Sequence, residues 1–229
     1  MVISGMAVQR PLAIAHRGAH ETLPENSMPA ILRALELGAQ GIELDVHATA
    51  DDVLVVHHDP DISDGRRIST LSYTQIAAVQ LAPAVAVPRL DAVLEAVGTR
   101  AIVFIETKQT GIEMLLLRAV RNTSAECAVH SFDAPTVSNI KSFMPSLRVG
   151  LLTTGGAGAA LSKLASTGAD DLWHLASDID PDLATSVHAA GKSVIAWTSN
   201  DASEWKRLAS FGIDGICTDN IGKLAAAAW

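Results

Sequence analysis

Short apolar runs alternate along the whole chain with longer stretches whose apolar residues recur at helical spacing. The runs predict strands at 12–16, 42–47, 101–106, 127–131, 147–153, 171–175, 193–198 and 214–218. The clearest intervening helix covers 29–38, with Ser27 placed to cap its start and Gly38 to stop it. Asp201-Ala-Ser-Glu204 reads as a capping box ahead of a second helix at 205–211. Strand followed by helix, repeated, gives parallel strands, and eight such units suggest a closed (β/α)8 TIM barrel. The alternative is an open doubly wound sheet, weakened because no Gly-x-Gly-x-x-Gly follows the first strand. Gly155-Gly156-Ala157-Gly158 lacks the lysine of a phosphate loop and reads as a flexible connection.

One apolar segment, 53–57, breaks the rhythm. It follows the 42–47 strand too closely for a helical crossover, so it should turn back as a hairpin. Residues 59–88, with a helix expected near 73–79, then form a short insertion in the second βα connection. Loops in that position lie over the active face of a barrel. The chain, 1–229, reads as a single barrel domain.

Bulk composition narrows the partners. Hydrophobic residues make up 48% of 229 positions and charged ones 18%, enough for a sizeable core and too little charge for a disordered chain. A formal net charge of −8 argues against nucleic acid or an anionic membrane as a partner. Cys127 and Cys217 lie in strand-like segments and are expected to be buried free thiols. No signal peptide or membrane span is readable, so a cytoplasmic location is the default expectation. The apolar tail ending in Trp229 suggests self-association through that residue.

The densest chemistry lies at the predicted strand ends. Glu43 and Asp45 share one face of a strand, since side chains alternate with period two. Two buried like charges repel and are costly to desolvate unless something neutralises them. A divalent cation does so, and carboxylate oxygens suit magnesium or calcium. A solvent-facing acid ladder on an edge strand is the other reading of this pair. Glu106 adds a third carboxylate at the next strand end, with Arg17 and Lys108 at the same rims. The acids then read either as a cation site or as ion-pair partners of these two bases. Arg and Lys beside a cation make a phosphate clamp. His16 and His58 can act as general acid and base near neutral pH. His57 competes with His58, but alternation sends the two to opposite faces. His47 shares parity with Asp45 and is a candidate supporting group. His174 is a weaker candidate for the pocket, and Asp219 for anchoring a loop near Arg17. Trp173 and Trp205 read as packing residues.

These residues resemble, in order, the signature of the glycerophosphodiester phosphodiesterase family. The segments are His16-Arg17-Gly18, Pro24-Glu25-Asn26-Ser27, Glu43-Leu44-Asp45-Val46, Val55-Val56-His57-His58-Asp59 and Glu106-Thr107-Lys108. Ser131-Phe132, Trp197-Thr198-x-Asn200 and Gly212-Ile-Asp-Gly-Ile-Cys-Thr-Asp219 follow. The resemblance implies a (β/α)8 barrel that hydrolyses glycerophosphodiesters to sn-glycerol 3-phosphate and an alcohol. It implies one magnesium or calcium ion on Glu43, Asp45 and Glu106, His16 and His58 as the acid/base pair, and Arg17 and Lys108 on phosphate oxygens. Trp197 would offer a flat wall to the substrate. Asp51-Asp52 departs from the Asp-Gly common in the family, and Ile221 stands near the end where a proline is common. The rival readings are a phospholipase D-like barrel acting on lysophospholipids and a barrel that binds polyol phosphates without catalysis.

Overall fold

The computed structural model describes residues 10–228. Trp229, and with it the expected self-association contact, lies outside the described residues. The chain opens with β1 (Leu12–His16), α1 (Met28–Glu36) and β2 (Gly41–Ala48). Ser27 caps α1, its hydroxyl accepting from the Ala30 N–H, as the sequence pattern predicts. β3 (Leu54–Val56) turns back on β2 as an antiparallel hairpin, with Val46 opposite Val56. Asp52 in that turn has φ 59°, a left-handed backbone better suited to the glycine common in the family at this place.

The insertion follows. It holds α2 (Tyr73–Ala77) and a small hairpin of β4 (Gln80–Ala82) and β5 (Val85–Ala86), which the sequence pattern did not show. Val55, Ile62, Ile68, Leu71, Ile76 and Val87 give it a small core of its own. The crossover helix α3 (Leu90–Val97) leads back to β6 (Ile102–Thr107).

From there strand and helix alternate regularly. α4 (Glu113–Arg121), β7 (Cys127–Ser131), α5 (Ala134–Phe143) and β8 (Arg148–Thr153) come first. Next are α6 (Ala157–Thr167), β9 (Asp171–Leu175), α7 (Pro181–Ala189) and β10 (Ser193–Trp197). α8 (Ala202–Ser210), β11 (Gly215–Thr218) and α9 (Ile221–Ala225) complete the chain. Asp201 caps α8, but Glu204 turns to Ser199 and Arg207, so the reciprocal half of the expected capping box is missing. Gly156 and Gly158 frame the start of α6 rather than a free loop.

Eight strands run parallel in the order β1-β2-β6-β7-β8-β9-β10-β11, and β11 pairs with β1 to close the (β/α)8 barrel. Alternation then sorts the side chains. Ile42, Leu44 and Val46 of β2 face the helices. Ile14, Phe104, Ala128, Leu152, Trp173, Ile195 and Cys217 fill the barrel interior. Gly150 is required here, because a Cβ on it would lie 2.7 Å from Trp173 Cδ1. The interior is a packed floor, so chemistry is left to the residues above it at the strand C-termini. Cys127 and Cys217 are free thiols, as expected, but only Cys217 is buried; Cys127 is half-buried. No helix among the described residues is long and apolar enough to cross a membrane.

Candidate active site at the C-terminal mouth of the barrel

The turn after β1 builds the first wall. Arg17 has φ 56° and Gly18 φ 83°, and a Cβ on Gly18 would meet the Ala30 carbonyl carbon at 2.7 Å. Only glycine lets the chain pass this close to α1. The turn drops the Arg17 N–H onto the Glu43 carbonyl at 2.9 Å and near Glu43 Oε2 at 3.2 Å. Asn26, also left-handed at φ 54°, donates from Nδ2 to Asp45 Oδ2 at 2.8 Å and accepts the Asp45 N–H at 3.2 Å. Non-glycine residues held at positive φ cost roughly 1–3 kcal/mol each and are retained where a site demands them.

Glu43 and Asp45 are 2% and 1% exposed and share the mouth, as their spacing predicts. Asp45 pairs across β2 and β6 with Glu106. Burial and the neighbouring Asp45 push the Glu43 carboxyl up to about 8, with Glu106 adding to the crowding. Two cations answer this charge. Arg17 Nε lies 3.1 Å from Asp45 Oδ2, while its Nη1 donates to Glu25 at 2.9 Å. Lys108 Nζ lies 2.9 Å from Glu106 Oε1 and 3.5 Å from Asp45 Oδ1. Burial works against the Lys108 charge, but Glu106 and Asp45 outweigh it and hold the amine above its ordinary value. Asp45 Oδ1 is buried with no hydrogen bond and faces the Lys108 amine at 3.5 Å.

His16 closes the other side. Its Nδ1 is 2.6 Å from Asp219 Oδ1, which leaves Nε2 toward the acids, 4.0 Å from Glu43 Oε2. Burial lowers the imidazole pKa, yet the bond to Asp219 and the charge of Glu43 bring it above its ordinary value. Asp219 also takes His20 Nε2 at 3.0 Å and the Asn200 amide at 2.6 Å. Burial alone would raise the Asp219 carboxyl, but these three bonds hold it far below the carboxylate range. So Asp219, one residue past β11, anchors the loop near Arg17 through His20, as expected, and also holds His16 and Asn200.

His58 sits beyond β3, about a third exposed, with Nδ1 2.8 Å from Asp59 Oδ1. His57 bonds instead to the Asp59 carbonyl. His47 is buried and holds the His58 carbonyl at 3.1 Å, so it supports that loop from below. Trp197 stands at the end of β10 with Phe132 edge-on at 5.4 Å, an aromatic wall whose outer ring is exposed. His174 faces away from the interior and ties Thr153 to the Gly155 carbonyl.

Sequence reasoning gave no role to His130, His20, Glu25 or Asn26. His130 pairs in register with Glu106 and is 1% exposed, with Nε2 3.7 Å from Glu43 Oε1. Burial pushes its imidazole down to about 4, so the ring is neutral. Its strand-end parity was the available signal. Among the described residues two sets offer donor atoms all within 4.8 Å of one another: Glu43, Glu106 and His130, and His16, His20 and Asp219. In the second set the short bonds from Asp219 already account for the geometry.

A (β/α)8 barrel whose mouth gathers buried acids, a guanidinium, an amine and histidines is a hydrolase scaffold for a phosphate ester. Comparison makes the class specific. Residues 16–223 match the glycerophosphoryl diester phosphodiesterase family model, and the chain belongs to that family. A glycerophosphodiester phosphodiesterase of Caldanaerobacter subterraneus is 31% identical over 92% of this chain and 95% of its own. The structure of a glycerophosphodiester phosphodiesterase from Agrobacterium tumefaciens is 26% identical, covers 95% of this chain and 100% of its own, and superposes with a TM-score of 0.83. A phosphodiesterase of Oleispira antarctica, solved with the product sn-glycerol-3-phosphate, has a TM-score of 0.87 at 23% identity and shares the fold, covering 93% of this chain and 95% of its own. The chain is therefore an enzyme that hydrolyses glycerophosphodiesters.

Proposed function

We propose that the mouth of this barrel performs a cation-assisted hydrolysis of glycerophosphodiesters to sn-glycerol 3-phosphate and an alcohol, with His16 and His58 as the acid/base pair. The observation that carries the reading is the placement of three acids, Glu43, Asp45 and Glu106, on adjacent strand ends with Arg17 and Lys108 lodged against Asp45.

The donor set suits a divalent cation. Asp45 Oδ1 is buried without a hydrogen bond, and the crowding that raises Glu43 is what a bound cation would relieve. Glu43, Asp45 and Glu106 would hold it, and three carboxylates by themselves select magnesium or calcium. Such an ion supplies Lewis-acid stabilisation of charge on the phosphoryl oxygens.

The protein's own groups do the rest. Arg17 presents a fork and Lys108 a point charge, and both are free to trade an acid partner for a phosphate oxygen. Donors placed where negative charge grows stabilise the transition state more than the ground state. Asp219 holds His16 as the Nδ1–H form, so Nε2 takes or gives the proton at the reacting oxygens. His58, fixed through Nδ1 by Asp59, exposes its own Nε2 for the complementary transfer. Trp197 with Phe132 offers an apolar wall to the glycerol or the leaving alcohol. We read residues 1–229 as one catalytic unit with the 59–88 insertion beside the mouth, and the two free thiols support a reducing, cytoplasmic setting.

The test is release of sn-glycerol 3-phosphate from glycerophosphocholine by the wild-type chain and by His16→Ala and His58→Ala. Each variant should lose at least ~100-fold in kcat, the scale of general acid–base catalysis. Undiminished turnover in either variant removes that histidine from the reaction. Turnover of a lysophospholipid alone would favour the phospholipase D-like alternative, and binding without turnover the non-catalytic one.

A further inference from the structure

We infer that His130 is a fourth donor to the cation of this site, and that its nitrogen shifts the site toward manganese(II) over calcium. The inference rests on the cation reading above and adds a ligand and a selectivity to it.

His130 is 1% exposed; its Nδ1 is buried with no hydrogen bond, and its Nε2 faces the Glu43 carboxylate. Buried imidazoles are normally held by hydrogen bonds, and no such bond ties the Nδ1 edge of this ring, which leaves Nε2 directed at the acids. Its Nε2 stands 3.7 Å from Glu43 Oε1, too far for a hydrogen bond. The spacing is near what two donors on one ion adopt. At about 2.1 Å from a shared ion, donors stand about 3.0 Å apart at a right angle and about 3.4 Å apart at the tetrahedral angle. Glu43, Glu106 and His130 each place one donor atom within 4.8 Å of the others.

The ring is also held for the task. It stacks on Trp173 at 4.2 Å with an interplanar angle of 5°. Trp173 is 1% exposed, and Gly150 leaves the space both rings occupy: a Cβ there would lie 2.7 Å from the indole and 3.1 Å from His130 Cβ. Metal-bound histidines are ordinarily oriented by a hydrogen bond to the second nitrogen. Here the indole face fixes the plane instead. Calcium takes oxygen ligands, whereas a mixed carboxylate–imidazole set suits first-row divalent ions.

The test uses the full chain loaded with manganese(II) and read by pulsed electron paramagnetic resonance for nitrogen coupling. His16 Nε2 is the other imidazole nitrogen beside Glu43, so His16→Gln is the control. Nitrogen coupling is expected in wild type and in His16→Gln and is expected to vanish in His130→Gln. Calorimetry should show manganese(II) affinity falling ~10-fold or more in His130→Gln, the usual scale for a lost interaction at such a site, with calcium affinity unchanged. Manganese bound without nitrogen coupling, or coupling that survives in folded His130→Gln, overturns the assignment. If His130→Gln does not fold, the other two proteins decide: coupling in both supports His130, and its loss in His16→Gln overturns it. A wild-type chain that binds no manganese overturns both this and the cation reading. Nitrogen-coupled manganese in a protein that releases no sn-glycerol 3-phosphate overturns the hydrolysis mechanism and leaves the ligand assignment standing.

Discussion

Replacing Asp219 by Asn removes one charge and the bond from the Asn200 amide, which would face the new NH2 group. The amide oxygen can still accept from His16 Nδ1, 2.6 Å away in the native protein, and from His20 at 3.0 Å. What disappears is the anion that holds the His16 imidazole above its ordinary pKa against the effect of burial. A hydrogen bond to a charged group contributes ~1.5–3 kcal/mol. Asp219 is one-third exposed, so solvent screening favours the lower end, ~1.5–2 kcal/mol. Felt wholly in the transition state, this is a loss of ~10- to 30-fold in kcat with little change in KM. Asp219→Ala also releases the ring and should cost more than Asn. The sign of the pH effect is fixed by the direction of the shift. His16 loses a group that raises it, so the limb of the kcat profile that reports His16 moves to lower pH, whether the ring serves as acid or base. The assay is the pH dependence of sn-glycerol 3-phosphate release by the wild type and both variants. Unmoved limbs in Asp219→Asn, together with a rate within twofold of wild type, would refute the role given to this carboxylate.

Two further outcomes follow from the same geometry. In chelated protein, Glu43→Gln should be more heat-stable than wild type, by a margin that grows as pH rises. The folded-state carboxyl value is about 8 against an ordinary 4.5, so the folded protein holds a proton that the unfolded chain releases between those values. Stability therefore falls through that window in wild type and not in the amide variant; calorimetric melts that run parallel in pH would contradict this, and activity should be lost in the variant either way. Gly150→Ala should destabilise by ~1–3 kcal/mol, because the new methyl meets Trp173 in a packed interior. A urea midpoint equal to wild type would show that the Trp173–His130 stack yields more easily than its packing implies.

Much of this architecture is written locally. Alternation places Glu43 and Asp45 on one face, and Ser27 and Gly38 bracket α1, because both effects act within a few residues. Strand ends agree to about one residue for the same reason, as with 147–153 against Arg148–Thr153. The β4–β5 hairpin was hidden because Pro83 and the small residues around it carry almost no period-two signal. Contacts across the barrel were harder to read. Asp219 and His16 are 203 positions apart and meet only when β11 closes on β1. His130 is one of eight histidines, and only its register with Glu106 and its stacking on Trp173 separate it from a core residue. Asn26 lay inside a recognised segment, but its service to Asp45 depends on a left-handed turn that residue type does not announce.

The most direct test of the account is chelation and recovery. Protein stripped of divalent ions is offered glycerophosphocholine, and sn-glycerol 3-phosphate is measured before and after a divalent cation is returned, in wild type and in Glu106→Gln. The account predicts no release from stripped protein, full recovery in wild type, and recovery reduced at least ~100-fold in the variant, on the scale of losing a transition-state charge stabiliser. Sustained release from fully stripped wild type, or equal recovery in Glu106→Gln, would contradict it.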